Sequence, residues 1–208
     1  RLPKASLTWE HAWQTEWPRI REIETERYML DVCGQFYELT PVPWGGRIFG
    51  VMPVCRHLRI IADYCSWNGL LVCAGNQTTP NGDANPVVGQ PQSGLWFGKS
   101  DDLWNWGKPG GWGGLWWKDD VEAGAPSDPF LMTGFEHKVL HLANHGQDAT
   151  TVAIEVDFLG DGSWQRYKGV KLKAGAYKHH EFPAGFSAHW VRAVSDTDTN
   201  ATAYFHYT

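Results

Sequence analysis

Hydrophobic and polar residues alternate with a period of two over much of the chain, and this pattern predicts β-strands. The alternation is cleanest after residue 124, where seven short runs are separated by turns that contain Gly or Asn. Short strands at such regular spacing predict a β-sandwich over residues 125–208. The predicted strands are Phe130–Thr133, Lys138–Ala143, Thr151–Leu159, Trp164–Leu172, Ala176–Phe182, Ala188–Val194 and Ala201–Tyr207.

The first 124 residues alternate less regularly, and they predict hairpins. The dipeptide Asn68-Gly69 between two apolar runs is a strong turn signal, and it predicts that His57–Cys65 pairs with Leu70–Gly75. A second hairpin is predicted to turn at Gly34. The run before it, residues 15–30, is predicted to be one strand, although its composition also suits a helix.

Gly, Pro and Asn mark the predicted loops of this region. Residues 76–93 are predicted to form a long exposed loop, and residues 41–56 a loop with a short strand at Arg47–Met52. Ser100–Asp102 is predicted to be an acidic turn, after which the next run opens at Leu103. Near the start of the sequence, three tryptophans at a spacing of four would share one face of a short helix; they are Trp9, Trp13 and Trp17.

Tryptophan is concentrated between Gln92 and Trp117, a stretch that holds six of the chain's 13 Trp and seven of its 23 Gly. A buried indole N–H needs a hydrogen-bond partner, so this density is not typical of packing alone. Flat tryptophan faces beside Gly-rich backbone suit the apolar faces of sugar rings. The alternative is that these residues belong to the core of a β-protein. The predicted sugar platform consists of Trp96, Trp104, Trp112 and Trp116.

The overall charge is low and evenly divided. The chain has 18 Lys and Arg and 23 Asp and Glu, a net charge of −5, and both halves carry a slight acidic excess. This even balance indicates that the chain has no basic stripe, so nucleic acid is not expected as a partner. No apolar run reaches the ~18 residues of a membrane span, so a membrane is not expected either.

Candidate acid–base and carboxylate-binding groups lie in two places. His57, next to Arg56 and Arg59, is the best candidate for a general acid or base, with a hydrogen-bonded structural histidine as the alternative. The charged run 19–27 is either a solvated surface or a cleft wall where Arg pairs with a substrate carboxylate. The predicted site residues are therefore His57 and Glu22 for catalysis, and Arg19, Arg21, Arg56 and Arg59 for binding uronate carboxylates.

Neither the nine His nor the four Cys form a recognised metal motif. No cofactor is therefore expected; calcium is compatible with the sequence but not indicated by it. His137, His141 and His145 have helical spacing, yet the alternation around them predicts a strand. A two-residue turn at Asn68-Gly69 would place residue 65 opposite 72 rather than 73, so small buried thiols are favoured over a disulfide.

The segment Lys99–Trp106 resembles the S-x-D-L-x-x-W blade turn of propeller carbohydrate-active enzymes. Most of the chain resembles the C-terminal part of large secreted bacterial proteins related to propeller polysaccharide lyases and glycosidases of the rhamnose–glucuronate type. The families' catalytic residues lie largely outside the resembling part, so none is transferred. The stretches that carry the resemblance are 15–30, 57–77, 92–104, 126–135 and 185–192.

The resemblance implies an all-β protein with two parts, propeller-like sheets over residues 1–124 and a β-sandwich over 125–208. It also implies a secreted protein that acts on or binds an acidic, uronate-containing polysaccharide or oligosaccharide. The alternatives are a non-catalytic glycan-binding module and a structural subunit of an assembly. Residues 1–124 supply too few hairpins to close a propeller, so we expect a second polypeptide or a preceding part of the same protein to complete it.

Overall fold

The computed structural model describes residues 1–5, 18–24, 27–39, 50–57, 60–80 and 89–208. These residues form antiparallel β-strands in four sheets and one short 3-10 helix, Ser100–Asn105. The predicted all-β fold of several antiparallel sheets is confirmed. The four sheets do not close into a ring. The larger propeller expected around them stays a prediction.

The first sheet contains four strands in sequential order. The predicted hairpin at Gly34 is confirmed, since Cys33 and Gly34 have positive φ values of 55° and 77°. The predicted single strand over 15–30 is wrong, because the chain reverses after Glu22; Glu24 has a φ of 65° and the Ile23 N–H donates to the Arg27 carbonyl at 2.8 Å. The strands are β1 (Arg19–Glu22), β2 (Tyr28–Val32), β3 (Gln35–Leu39) and β4 (Met52–Arg56).

The second sheet contains β5 (Ile60–Trp67), β6 (Leu70–Pro80) and β7 (Gly89–Gly98). The predicted hairpin at Asn68-Gly69 is confirmed, with φ values of 50° and 77°. The predicted loop over 76–93 is corrected in part, because β6 and β7 remain paired as far as Pro80 and Gly89. Main-chain hydrogen bonding therefore continues through a segment whose composition suggested only a loop.

The acidic segment after β7 also differs from the prediction. Leu103 does not open a new strand, since Ser100–Asn105 forms the 3-10 helix. The Asp102 carboxylate accepts a hydrogen bond from the Lys99 N–H at 2.8 Å, and Leu103 is buried beneath the helix. The short helix is thus held by a side-chain bond at its start and an apolar anchor in its middle.

The remaining strands form two four-stranded sheets, and all seven strands predicted after residue 124 are present. One sheet has the order β13-β10-β15-β8 and the other β12-β11-β14-β9. The strands are β8 (Gly111–Val121), β9 (Phe130–Leu131), β10 (Lys138–Asn144), β11 (Thr150–Asp157), β12 (Gln165–Leu172), β13 (Tyr177–Glu181), β14 (Trp190–Ser195) and β15 (Thr199–Tyr207).

These two sheets pack face to face as a sandwich. Leu140 and Phe205 of one layer and Ile154 of the other are completely buried in one apolar cluster. Tyr37 of β3 joins the same cluster, while a second cluster under the first two sheets contains Phe36 and Leu103. β8 belongs to the sandwich although it precedes the predicted boundary at 124/125, so pairing crosses that boundary.

The four cysteines are all free and differ in environment. Cys55 and Cys73 are buried, and burial raises the pKa of each thiol to about 12. The prediction of buried thiols is confirmed for these two and wrong for Cys65, which is exposed. Cys65 lies opposite Val72, as the two-residue turn requires.

Some predictions fall on residues outside the described ranges. They concern the helical face of Trp9, Trp13 and Trp17 and most of the predicted strand Arg47–Met52, of which residues 50–52 alone are described. No helix in the described ranges has the length and apolarity needed to cross a membrane.

Replacing Phe130 with Ala should destabilise the protein by about 3–5 kcal/mol, because the side chain is buried between the layers and stacks on Phe205. Phe158→Ala is the matched control, since that ring is 56% exposed, and its effect should stay within about 0.5 kcal/mol. Urea unfolding of both variants measures the difference. Equal losses would contradict the assignment of Phe130 to the core.

Candidate functional site

A groove of about 560 Å³ lies on the outer face of the β13-β10-β15-β8 sheet. Its volume lies within the range typical of small-molecule sites. The lining residues are mainly aromatic rings and imidazoles carried by all four strands. They are Trp112, Trp117, Lys118, His141, Ala143, His145, Tyr177, Thr202, Tyr204 and His206.

Strand alternation on β15 separates this groove from the core. Ala203 and Phe205 face the sandwich interior and are fully buried, whereas Tyr204 and His206 point to the opposite face. On the neighbouring strand β8, Trp112 lies opposite His206 and therefore faces the groove. One continuous ladder thus supplies both an apolar core face and an aromatic outer face.

A bulge in β8 decides which of two adjacent tryptophans enters the groove. Trp116 pairs with Ala203 and Trp117 with Thr202, but the preceding pair joins Gly114 to Tyr204, so Leu115 is an extra residue. As a result Trp116 is buried in the core at 7% exposure and Trp117 is 63% exposed. The prediction that Trp116 belongs to a sugar platform is corrected on this ground, because uninterrupted alternation would have placed it on the same face as Trp112.

Gly114 allows an aromatic ring to lie on the backbone of β8. A Cβ at this position would come within 2.7 Å of the Tyr204 ring. The absence of a side chain therefore lets Tyr204 cover the strand and meet Trp117 in an edge-on contact, with ring centroids 5.4 Å apart. This explains one of the glycines in the Gly-Trp-Gly-Gly segment.

The polar atoms of the groove belong mostly to imidazoles and hydroxyls. His141 Nδ1 lies 2.7 Å from the Tyr177 hydroxyl, and His145 Nε2 lies 3.0 Å from the Thr202 hydroxyl. The rings of His141 and His206 meet edge-on at 5.0 Å. Partial burial lowers the pKa of His141, and the neighbouring His206 and His179 lower it further. The lowered pKa favours the uncharged form of His141, which can both donate and accept hydrogen bonds.

The other predicted platform tryptophans lie elsewhere. Trp96 packs edge-on against Trp106 over the second apolar cluster, with ring centroids 5.0 Å apart. Trp104 is 53% exposed on the 3-10 helix. Of the four residues predicted to form the platform, Trp112 alone lines this groove.

Two of the predicted uronate-binding arginines share one partner within the protein. Arg21 contacts the Asp63 carboxylate at 3.1 Å and Arg19 contacts it at 3.8 Å. Burial opposes ionisation of Asp63, but its hydrogen bonds and the two arginines outweigh that effect and lower its pKa. Arg56 is the last residue of β4, whereas Arg19 and Arg21 lie on β1. Arg59 lies outside the described residues. Their predicted role in binding uronates stays a prediction.

His57 is buried rather than exposed in a cleft. Its Nε2 lies 2.9 Å from Asp31 Oδ1, both side chains are at most 2% exposed, and the Phe36 ring packs on the imidazole. Glu22 is exposed on β1. Acid–base catalysis by His57 and Glu22 stays a prediction, and the geometry fits the structural alternative for His57.

Sequence reasoning missed the residues that build the groove, above all Tyr177, Tyr204 and His206. A signal was present in the alternation of Thr202, Tyr204 and His206 along one face of a predicted strand. Recognising it required the pairing of β15 with β8 and β10, which the sequence does not specify. Within the described residues, no group of three or more His, Cys, Asp or Glu is placed to hold a metal ion.

No protein-family model matches the sequence, and no curated protein matches it. Solved structures resemble it weakly. PirA shares 13% identity over 48% of this chain and 84% of its own, with a TM-score of 0.27. An exo-β-1,3-galactanase from Phanerochaete chrysosporium with galactose shares 9% identity over 92% of this chain and 56% of its own, with a TM-score of 0.26.

A glycoside hydrolase family 43 arabinoxylan arabinofuranohydrolase from Bacillus subtilis, in complex with cellotetraose, also shares 9% identity. The similar region covers 92% of this chain and 53% of the hydrolase, with a TM-score of 0.30. The chain thus spans about half the length of the two hydrolases. Similarities this low do not assign the chain to a family or give it an activity.

Replacing His206 with Asn should raise the pKa of His141, because one of the groups that disfavours its protonation is removed. Because the pKa of His141 is lowered, its imidazole binds a proton less readily in the folded state than in the unfolded chain. The resulting stability is complete above the ordinary histidine pKa and is lost as the pH falls through the lowered value. NMR titration of the imidazole signals measures the shift. The control is His137→Asn, which changes a histidine outside the groove and should leave the pKa of His141 unchanged. An unchanged His141 pKa in the His206 variant would contradict the described contact.

Proposed function

We propose that this protein binds a polysaccharide or oligosaccharide in the groove on the β13-β10-β15-β8 sheet. The observation that carries the proposal is the position of Trp117, 63% exposed beside Tyr204 in a groove whose polar groups are mostly imidazoles and hydroxyls. A sugar ring has apolar C–H faces and a polar rim of hydroxyls. Aromatic faces with hydrogen-bonding groups between them match both features.

The charge of the lining favours an acidic sugar, such as a uronate. Lys118 and three histidines line the groove, and no carboxylate does so among the described residues. A carboxylate on the ligand would meet a cation or an imidazole N–H here and no like charge. We therefore keep the proposal that the ligand contains uronates. The groove, rather than the arginines of the first 60 residues, is the site proposed to bind them. An extracellular location, where such polysaccharides occur, belongs to the same proposal.

The groove supports binding of a glycan rather than catalysis. Its titratable groups are imidazoles, two tyrosine hydroxyls and one lysine, without the pair of carboxylates that most glycosidases use. A catalytic role would thus depend on groups other than those that line the groove. Expected products of lyase or hydrolase action are unsaturated uronates or new reducing ends, and we expect neither from this groove.

Trp117→Ala should weaken retention of the protein on an immobilised polysaccharide at least tenfold, because it removes the largest exposed ring of the groove. Trp67→Ala is the matched control, since this tryptophan is equally exposed, at 61%, but lies on β5. Affinity electrophoresis against a panel of neutral and uronate-containing polysaccharides measures both variants. Both should keep the stability of the unchanged protein.

Two results would overturn the proposal. The first is retention of no polysaccharide in the panel by the unchanged protein. The second is an equal loss of retention in the Trp117 and Trp67 variants, which would show that the groove is not the site.

A further inference from the structure

Two adjacent edge strands, β12 and β13, carry a run of exposed positive charge, and their one carboxylate is Glu181 at the end of β13. Within the described residues β12 pairs with β11 alone, and β13 with β10 alone, so each is the edge of its sheet. No Asp or Glu occurs from residue 165 to residue 180. Five exposed cations lie there, and we call them the cationic edge: Arg166, Lys168, Lys171, Lys173 and Lys178.

Side-chain contacts hold the two strands of the cationic edge side by side. His180 of β13 lies 3.3 Å from the Tyr167 hydroxyl and 3.3 Å from Lys168 Nζ, both on β12. The turn that joins the strands is fixed by buried Asn144, whose amide donates to the Lys173 carbonyl and whose N–H donates to the Ala176 carbonyl. The positive charges therefore lie on a fixed surface rather than on a loose loop.

The five cations are distinguished from the other basic residues of the sandwich by their lack of carboxylate or buried carbonyl partners among the described residues. Between residues 125 and 208 there are only two further Lys or Arg. Lys138 is buried and donates to the Phe135 and Phe186 carbonyls, while Arg192 pairs with Glu155 at 2.8 Å. None of the five residues of the cationic edge has an ion-pair partner among the described residues. The prediction that the chain has no basic stripe is therefore wrong for residues 166–178, because the totals for each half average over this cluster.

We infer that the cationic edge binds the carboxylate or sulfate groups of an anionic polysaccharide. The inference rests on the proposed function for the class of its ligand. It deepens that function because β13 belongs to both surfaces: Tyr177 lines the groove, and the next residue, Lys178, belongs to the cationic edge. A polysaccharide that occupies the groove and leaves it across β13 meets Lys178 and then the cations of β12.

Lysines on edge strands also prevent unwanted pairing with another sheet, and this is the competing explanation. Other charged side chains and proline serve that purpose as well. Five cations on two edge strands and the turn between them, with the single carboxylate Glu181, on a protein with a net charge of −5, are better explained by a negatively charged ligand. The two explanations predict different behaviour when the charges are removed.

The test compares two double variants of the whole chain that lose the same charge. Lys171→Gln with Lys178→Gln neutralises part of the cationic edge, and Lys99→Gln with Lys108→Gln neutralises two exposed lysines elsewhere. Binding is measured near neutral pH to dextran sulfate, polygalacturonate and unmodified dextran. We expect the edge variant to bind the two anionic polymers roughly three- to tenfold more weakly than the control variant, with a weaker dependence on salt.

Several outcomes would overturn the inference. Equal binding by the two double variants would do so, as would self-association of the edge variant with undiminished binding to the anionic polymers. Binding of duplex DNA with the same affinity and salt dependence would show a general polyanion surface rather than a polysaccharide site. Trp117→Ala separates this inference from the proposed function, because the groove variant should lose the uncharged component of binding while the salt-dependent component remains.

Discussion

The antiparallel ladder between β8 and β15 is the interaction on which most of the structure depends. It runs from the pair Thr199–Val121 to the pair Tyr207–Gly111 and contains two irregularities. Its inner face supplies the sandwich core and its outer face supplies the groove. At its far end the backbone of Trp112 exchanges two hydrogen bonds with Lys4, at 2.8 and 2.9 Å, so the ladder also holds the first residues of the chain.

The bulge at Leu115 reverses the side-chain alternation of β8, so that odd and even positions exchange faces after it. In a strand without a bulge, a side chain and the one four residues later face the same way. Here Trp112 faces the groove and Trp116 faces the core, so a single extra residue exchanges the roles of Trp116 and Trp117. The bulge is therefore what allows a Trp-rich strand to stabilise the sandwich and to present an exposed ring at the same time.

The fold after residue 124 could be predicted from the sequence because strands such as β10, β11 and β14 alternate cleanly and most turns between the strands contain Gly. The first 124 residues were harder, since long main-chain ladders run through segments such as 76–80 whose composition suggests a loop. The site could not be predicted residue by residue. The strand Ala201–Tyr207 was predicted, but Tyr204 and His206 were not recognised as site residues. Which strands lie beside them depends on pairing between residues some 90 positions apart, as between Trp112 and His206.

The groove is built on paired strands, and this has a consequence for binding. Trp117, Tyr204 and His141 each belong to a strand with hydrogen-bonded neighbours, and His141 is further oriented by the Tyr177 hydroxyl. A ligand that meets such side chains does not have to order a loop, so less of its contact energy is lost to conformational entropy. The cationic edge is similarly fixed through Asn144. A surface whose aromatic rings and charges are both positioned before binding suits a stiff, extended polymer better than a small flexible molecule, because many weak contacts can form together without further ordering of the protein.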